Sequence, residues 1–183
     1  MRTSSNIDKR DGLHSLLMRV TDIVELFSRR DATASAQWLS WLHDAETTLK
    51  EYNRPESAQL AGLRSSIIVS QMSQSTVRAC RRCVDEKCVS TINPAQNIIS
   101  ALHNNLDSKL EAVHVLFRQI LIPMRINNMI VLDGINDMTD YINSLLRQLS
   151  LNEQLSTNIN GAVASIGKAD TVRLIATVLT EEI

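Results

Sequence analysis

Aromatic side chains are nearly absent: two Phe, two Trp and two Tyr make up 3% of 183 residues. Glycine, with five residues, and proline, with three, are almost as scarce. Strand-rich chains need many turns, and turns draw on these two residues, so an all-β fold is disfavoured. No apolar run approaches the roughly 20 residues that cross a bilayer as a helix, and no membrane partner is expected. Neither sign of charge dominates: 19 Lys and Arg stand against 20 Asp and Glu. Generic nucleic-acid binding needs a clustered basic excess, so nucleic acid is not expected as a partner either. Three cysteines are too sparse, and odd in number, for a secreted disulfide framework. The first twelve residues lack the apolar core of a signal peptide. A cytoplasmic setting is the expectation.

Catalytic signatures are missing too. There is no Gly-x-Ser-x-Gly, no Gly-x-x-x-x-Gly-Lys-Ser/Thr and no Gly-x-Gly-x-x-Gly. No catalytic residue is nominated and no cofactor is expected.

What is present is helical periodicity. Leu13, Leu16, Leu17, Val20, Ile23, Val24 and Phe27 fall on one arc of about 120°, predicting an amphipathic helix over 7–30. Trp38, Trp41, Leu42, Ala45, Leu49 and Tyr52 do the same over 33–52, with Asp31 as the cap signal between the two. Asn53-Arg54-Pro55-Glu56 breaks this helix and starts a third, over about 55–85. Its main stripe reads Ala61, Ile68, Met72, Ala79 and Cys83, with Leu60, Leu63, Ile67 and Val77 on the opposite side. A helix apolar on two sides is covered on two sides, so it is central in a bundle or lies in a subunit contact.

Asn93-Pro94 repeats the break and opens a fourth helix over 94–121, through Ala95, Ile99, Leu102, Leu106, Leu110, Val113, Phe117 and Leu121. Pro123 ends or kinks it. A fifth helix over 124–155 follows from the heptad seam Val131, Ile135, Met138, Ile142, Leu145 and Leu149. Residues 156–169 read as a loop or a broken helix. The tail 170–182 alternates weakly as a strand would, but a strand has no partner elsewhere, so helix is favoured, with Asp170 as its cap. The expected fold is all-α. It is an up-and-down antiparallel bundle of four long helices plus one or two shorter ones, a single domain over 1–183 with residues 1–6 disordered.

Cys80-Arg81-Arg82-Cys83-Val84-Asp85-Glu86-Lys87-Cys88 is the densest reactive cluster. On one helix Cys80 and Cys83 share a side, while Cys88 lies about 140° round from Cys83 and about 7.5 Å further along. Three sulfurs placed so cannot share one tetrahedral ion. The cysteines read first as structural thiols, with Cys83 protected and Cys88 exposed, and second as a redox pair or metal site. Glu111-x-x-His114 and Asp11-x-x-His14 match half of a di-iron pattern, but their angles put them on flanks and solvent faces.

Trp38 and Trp41 are core anchors or an exposed stripe for a partner. With Leu60, Leu63, Ile67 and Val77 they form the candidate partner-binding set. The expected function is a non-catalytic cytosolic helical-bundle interaction protein, an adaptor or accessory subunit that binds a protein partner or itself. The alternative is a thiol-based redox-sensing or metal-binding bundle using Cys80 and Cys83, with Cys88 nearby. A third reading is a small-molecule-binding regulator with a pocket among the second, third and fourth helices.

Overall fold

A computed structural model describes residues 5–72, 77–132 and 137–181, with the backbone alone for 77–81. Among the described residues the fold is all-α, with no strand. Seven helices follow one another: α1 Asn6–Ser28, α2 Ala34–Glu51, α3 Ser57–Met72, α4 Val77–Ile126, α5 Met138–Leu151, α6 Ser156–Ile166 and α7 Lys168–Thr180. The tail is helix, as favoured, and the 156–169 segment is largely α6, with its break at Gly167. That glycine has φ 88° and ψ 154°, a region closed to residues with a Cβ, and it is the only residue between α6 and α7.

The chain divides into two compact units. One takes Lys9–Asn104, the other Ser5–Asp8 together with 105–181.

In the first unit, α1 buries Leu13, Leu16, Val20 and Ile23, and α2 buries Trp38, Trp41, Leu42, Ala45 and Leu49, on the faces their periodicity predicts. Gly12 lies under the hydroxyl of Tyr52, where a Cβ would collide with it. With glycine so scarce, other residues terminate the helices. Arg30, Asn53 and Asn128 have φ of 56°, 54° and 55°. Each stands two positions past the last residue of a helix. In each case its own N–H and the next one bond back in the Schellman pattern, for example Asn53 to Lys50 O at 3.0 Å and Arg54 to Leu49 O at 2.8 Å. Asp31 accepts from the Thr33 N–H and hydroxyl, both at 2.7 Å, in the turn that opens α2.

α3 is expected to be covered on two sides, and of these the side opposite the main stripe is the buried one. Leu60 and Ile67 are fully buried, while Met72 of the expected main stripe is 82% exposed. The stripe had been anchored on Ala79 and Cys83, which belong to a different helix.

The larger correction is at Asn93-Pro94, where a helix start was expected and α4 instead runs through without a break. Pro94 has no N–H for the Ser90 carbonyl, an interior loss of about 3 kcal/mol or more. Burial on both sides offsets it: Cys88, Thr91 and Ile92 before the proline, and Ala95 and Ile99 after, are all buried. The ring itself faces outward, since Asn93 and Pro94 are exposed. Thr91 is further tied by the Trp38 indole N–H at 2.9 Å. Pro123 likewise sits inside α4, which ends three residues later.

The second unit buries Ile7, Leu110, Val113, Phe117 and Leu121 with Ile130 and apolar faces of α5, α6 and α7. The heptad seam holds from Met138 on, through Ile142, Leu145 and Leu149. Its expected first residue does not take part: Val131 is 58% exposed, ahead of α5. Ile135 lies outside the described residues. α5 starts where Asp137 caps it, accepting from the Thr139 and Asp140 N–H groups at 2.8 and 3.1 Å.

Two further findings concern the chain's ends. Residues 5 and 6, expected to be disordered, are fastened. Ser5 Oγ accepts the Asp8 N–H at 3.0 Å, and the Asn6 amide donates to Ile166 O at 2.8 Å. Asp170 was expected to cap its own helix. Its carboxylate instead accepts the Asn6 N–H at 2.6 Å and so caps α1. The Arg173 guanidinium, 2.8 Å from Asp8, and the Ser5 hydroxyl hold the Asp8 carboxyl below its usual range.

Candidate functional site

The tryptophans of the candidate partner set are core residues. Trp38 and Trp41 are fully buried and stack on each other, with ring centroids 4.7 Å apart and planes 9° from parallel. Each indole N–H has a partner, Thr91 Oγ1 for Trp38 and Leu16 O for Trp41, both at 2.9 Å. Leu60 and Ile67 are buried as well, and Leu63 is half-buried. Those four buried side chains present no surface to a partner. The Val77 side chain lies outside the described residues.

The cysteines are placed in the opposite order to the one expected. Cys88 is fully buried and Cys83 is partly exposed. The reason is the continuity of α4. Read backward from Ala95, one heptad leads to Cys88, on the same face within about 20°. The break assumed at Pro94 had placed Cys88 in the frame of the preceding helix. Cys80 is in the first turns of α4, and its side chain lies outside the described residues.

Around Cys88 the structure brings together groups that sequence spacing did not. The Ser35 hydroxyl of α2 donates to Asp85 of α4 at 2.5 Å. Burial pushes the Cys88 thiol up and the Asp85 charge adds to this, while a hydrogen bond with Ser35 works the other way. A raised thiol is mostly protonated and a poor nucleophile. Alkylation of the reduced, native protein is therefore expected to modify Cys83 well before Cys88, as read by mass-resolved peptide mapping. Equal rates would contradict this burial.

No group of three or more His, Cys, Asp or Glu side chains is gathered as metal ligands among the described residues. The half-motif histidines have other company. His14 lies against His103, with ring centroids 5.6 Å apart. His114 Nε2 lies 3.0 Å from Glu181 Oε1, and Arg118 Nε lies 2.9 Å from Glu181 Oε2. Arg125 donates to the carbonyls of Leu179 and Glu181 at 3.0 and 2.8 Å. The Arg125 guanidinium thereby caps the C-terminal end of α7, which suits the negative pole of a helix.

A cleft of ≈ 770 Å³ in the first unit is lined by Phe27 and Arg30 at the end of α1 and by Arg82, Asp85, Glu86 and Val89 of α4. It is not the pocket expected among the second, third and fourth helices, since α1 forms one wall. Arg82 and Glu86 pair with each other along the α4 wall at 3.0 Å, on strongly exposed side chains.

At the end of α4 and just beyond it, Ile126, Met129 and Val131 are 62%, 69% and 58% exposed. Among the described residues, no helix is long and apolar enough to cross a membrane.

Fold and site together define an all-α chain of two helical units, with exposed apolar side chains at the end of α4 and just beyond it. Compared with protein-family models, curated proteins and solved structures, the chain matches none.

Proposed function

We propose that this chain is a non-catalytic helical interaction protein of the cytoplasm, an adaptor or accessory subunit that associates with itself. The observation that supports the reading is the exposed trio Ile126, Met129 and Val131 within six residues. Large apolar side chains set so close together on a surface mark contact sites more often than they mark free surface. Methionine adapts its shape to a partner's relief. A second copy supplies the same patch in return, which is the usual geometry of a twofold dimer.

The test is light scattering across a concentration series of the full chain and of Ile126→Asp/Met129→Asp. The expected result is a dimer at micromolar concentration that the double variant shifts to monomer, with its helical circular dichroism intact because both positions are exposed. A wild-type monomer throughout would overturn the reading. Ile67→Asp does not serve this test, since Ile67 is buried and its replacement reports on folding.

A second reading, thiol-based redox sensing by Cys80 and Cys83, draws support from the partial exposure of Cys83. The two residues lie three apart on one continuous helix. If it holds, mild oxidation of the native protein joins these two cysteines and spares Cys88. Peptide mapping that finds both thiols free after oxidation would remove it.

A further inference from the structure

A cleft of ≈ 510 Å³ in the second unit lies beside α5 and α6 and the start of α7. Arg147 of α5 and Lys168, the first residue of α7, both line it. The other three arginines of this unit are engaged: Arg118 with Glu181, Arg125 with two carbonyls, and Arg173 with Asp8 and Ser5. Arg147 and Lys168, in contrast, form no ion pair among the described residues, although Asp140 lines the same cleft. Asp140 and Arg147 are two helical turns apart on α5, about 10 Å, too far to neutralise each other directly. Between them lies Asn143, one amide N–H of which donates to Thr139 O at 2.9 Å, and its carbonyl oxygen can accept. Asn160 of α6 also lines the cleft, and buried Leu146 supplies an apolar floor.

We propose that this cleft binds a small hydroxylated organic anion, whose carboxylate or phosphate oxygens are held by Arg147 and Lys168. A guanidinium matches either group with two parallel hydrogen bonds, and the ammonium adds a second charge-assisted contact. The ligand's hydroxyl groups point the other way, donating to Asp140 and to the Asn143 carbonyl. The Asp140 charge sets the specificity, because it repels a ligand that is anionic at both ends. The site is independent of the self-association surface, since none of Ile126, Met129 or Val131 lines it.

The experiment is a titration of the isotopically labelled full chain, followed by amide chemical shifts, at ionic strength held constant with sodium chloride. Glycerol phosphate and glycerate are the two probes. They share hydroxyl groups and differ in the oxyanion, so they separate a phosphate site from a carboxylate site. The expected result is saturable movement of the amides of 143–150 and 160–168 with at least one probe. Citrate, anionic at both ends, is expected to bind more weakly. Arg147→Gln/Lys168→Gln is expected to weaken the favoured probe by at least about tenfold, with Lys168→Gln alone intermediate. Lys109→Gln, an exposed cation of the same unit that does not line the cleft, should leave binding unchanged. Absence of saturable shifts with both probes would overturn the proposal. So would shifts reproduced by chloride alone, or an equal loss in Lys109→Gln.

Discussion

Trp38→Ala is expected to lower the stability of the first unit by about 3–5 kcal/mol, the largest effect of any single substitution considered for this chain. The indole is fully buried, and its removal leaves a cavity that the helices around it can fill only in part. It also deprives Trp41 of its stacking partner at 4.7 Å, and such pairs contribute about 0.5–1.5 kcal/mol beyond their buried area. The indole N–H that holds Thr91, three residues before Pro94, is lost as well. Trp38→Phe keeps part of the stack but loses the N–H donor and part of the ring volume, so a smaller loss than that of Trp38→Ala is expected for it. Denaturant unfolding followed by circular dichroism measures both. A loss below about 1 kcal/mol for Trp38→Ala would contradict its place in the core.

The second large effect is electrostatic and depends on pH. Glu46 on α2 is 5% exposed, with Lys50 Nζ at 2.5 Å and Arg64 Nη2 of α3 at 3.0 Å. The Lys50 contact first, and then Arg64, hold its carboxyl below the ordinary value of 4.5, although burial alone would raise it. A carboxyl depressed in the folded state contributes stability that is fully present above its unfolded value. That contribution is lost as pH falls through the folded one. Glu46→Gln is therefore expected to cost about 1.5–3 kcal/mol at neutral pH, the range for hydrogen bonds to a charged group. The difference between wild type and variant should shrink as pH is lowered past 4.5 and vanish below the folded value. Stability curves of the two proteins that stay parallel down to pH 3 would show that the carboxylate charge is not what links α2 to α3.

Much of the local structure was legible in the sequence, for reasons carried by individual residues. The apolar arcs of α1 and α2 appear at helical spacing, and Leu13, Leu16, Trp38 and Trp41 are buried where those arcs place them. Asn53 and Pro55 punctuate the chain between α2 and α3 because a residue at positive φ and a helix-opening proline both act on their nearest neighbours. The helical tail followed from the absence of any strand to pair with.

Tertiary structure alone decided the rest. A proline's local preference is for a break, but the several buried side chains flanking Pro94 outweigh one missing hydrogen bond, and only packing makes that balance known. Once the helix runs through, the frame of every residue before it rotates. Cys88 turns inward and Cys83 partly outward. α3 is a separate helix, so its facing is independent of Ala79 and Cys83, and it buries Leu60 and Ile67 in place of Met72. Asp170 is likewise a good cap in any local reading. Which helix it caps depends on Asn6, 164 residues away. The cleft at Arg147 and Lys168 joins residues from separate helices, and that neither is ion-paired among the described residues is a fact of placement that no spacing encodes. What this sequence determined was helix type and the faces of helices bounded by strong stop signals. The joining of helices across a weak stop, and the pairing of distant charges, are set by burial energies summed over many residues.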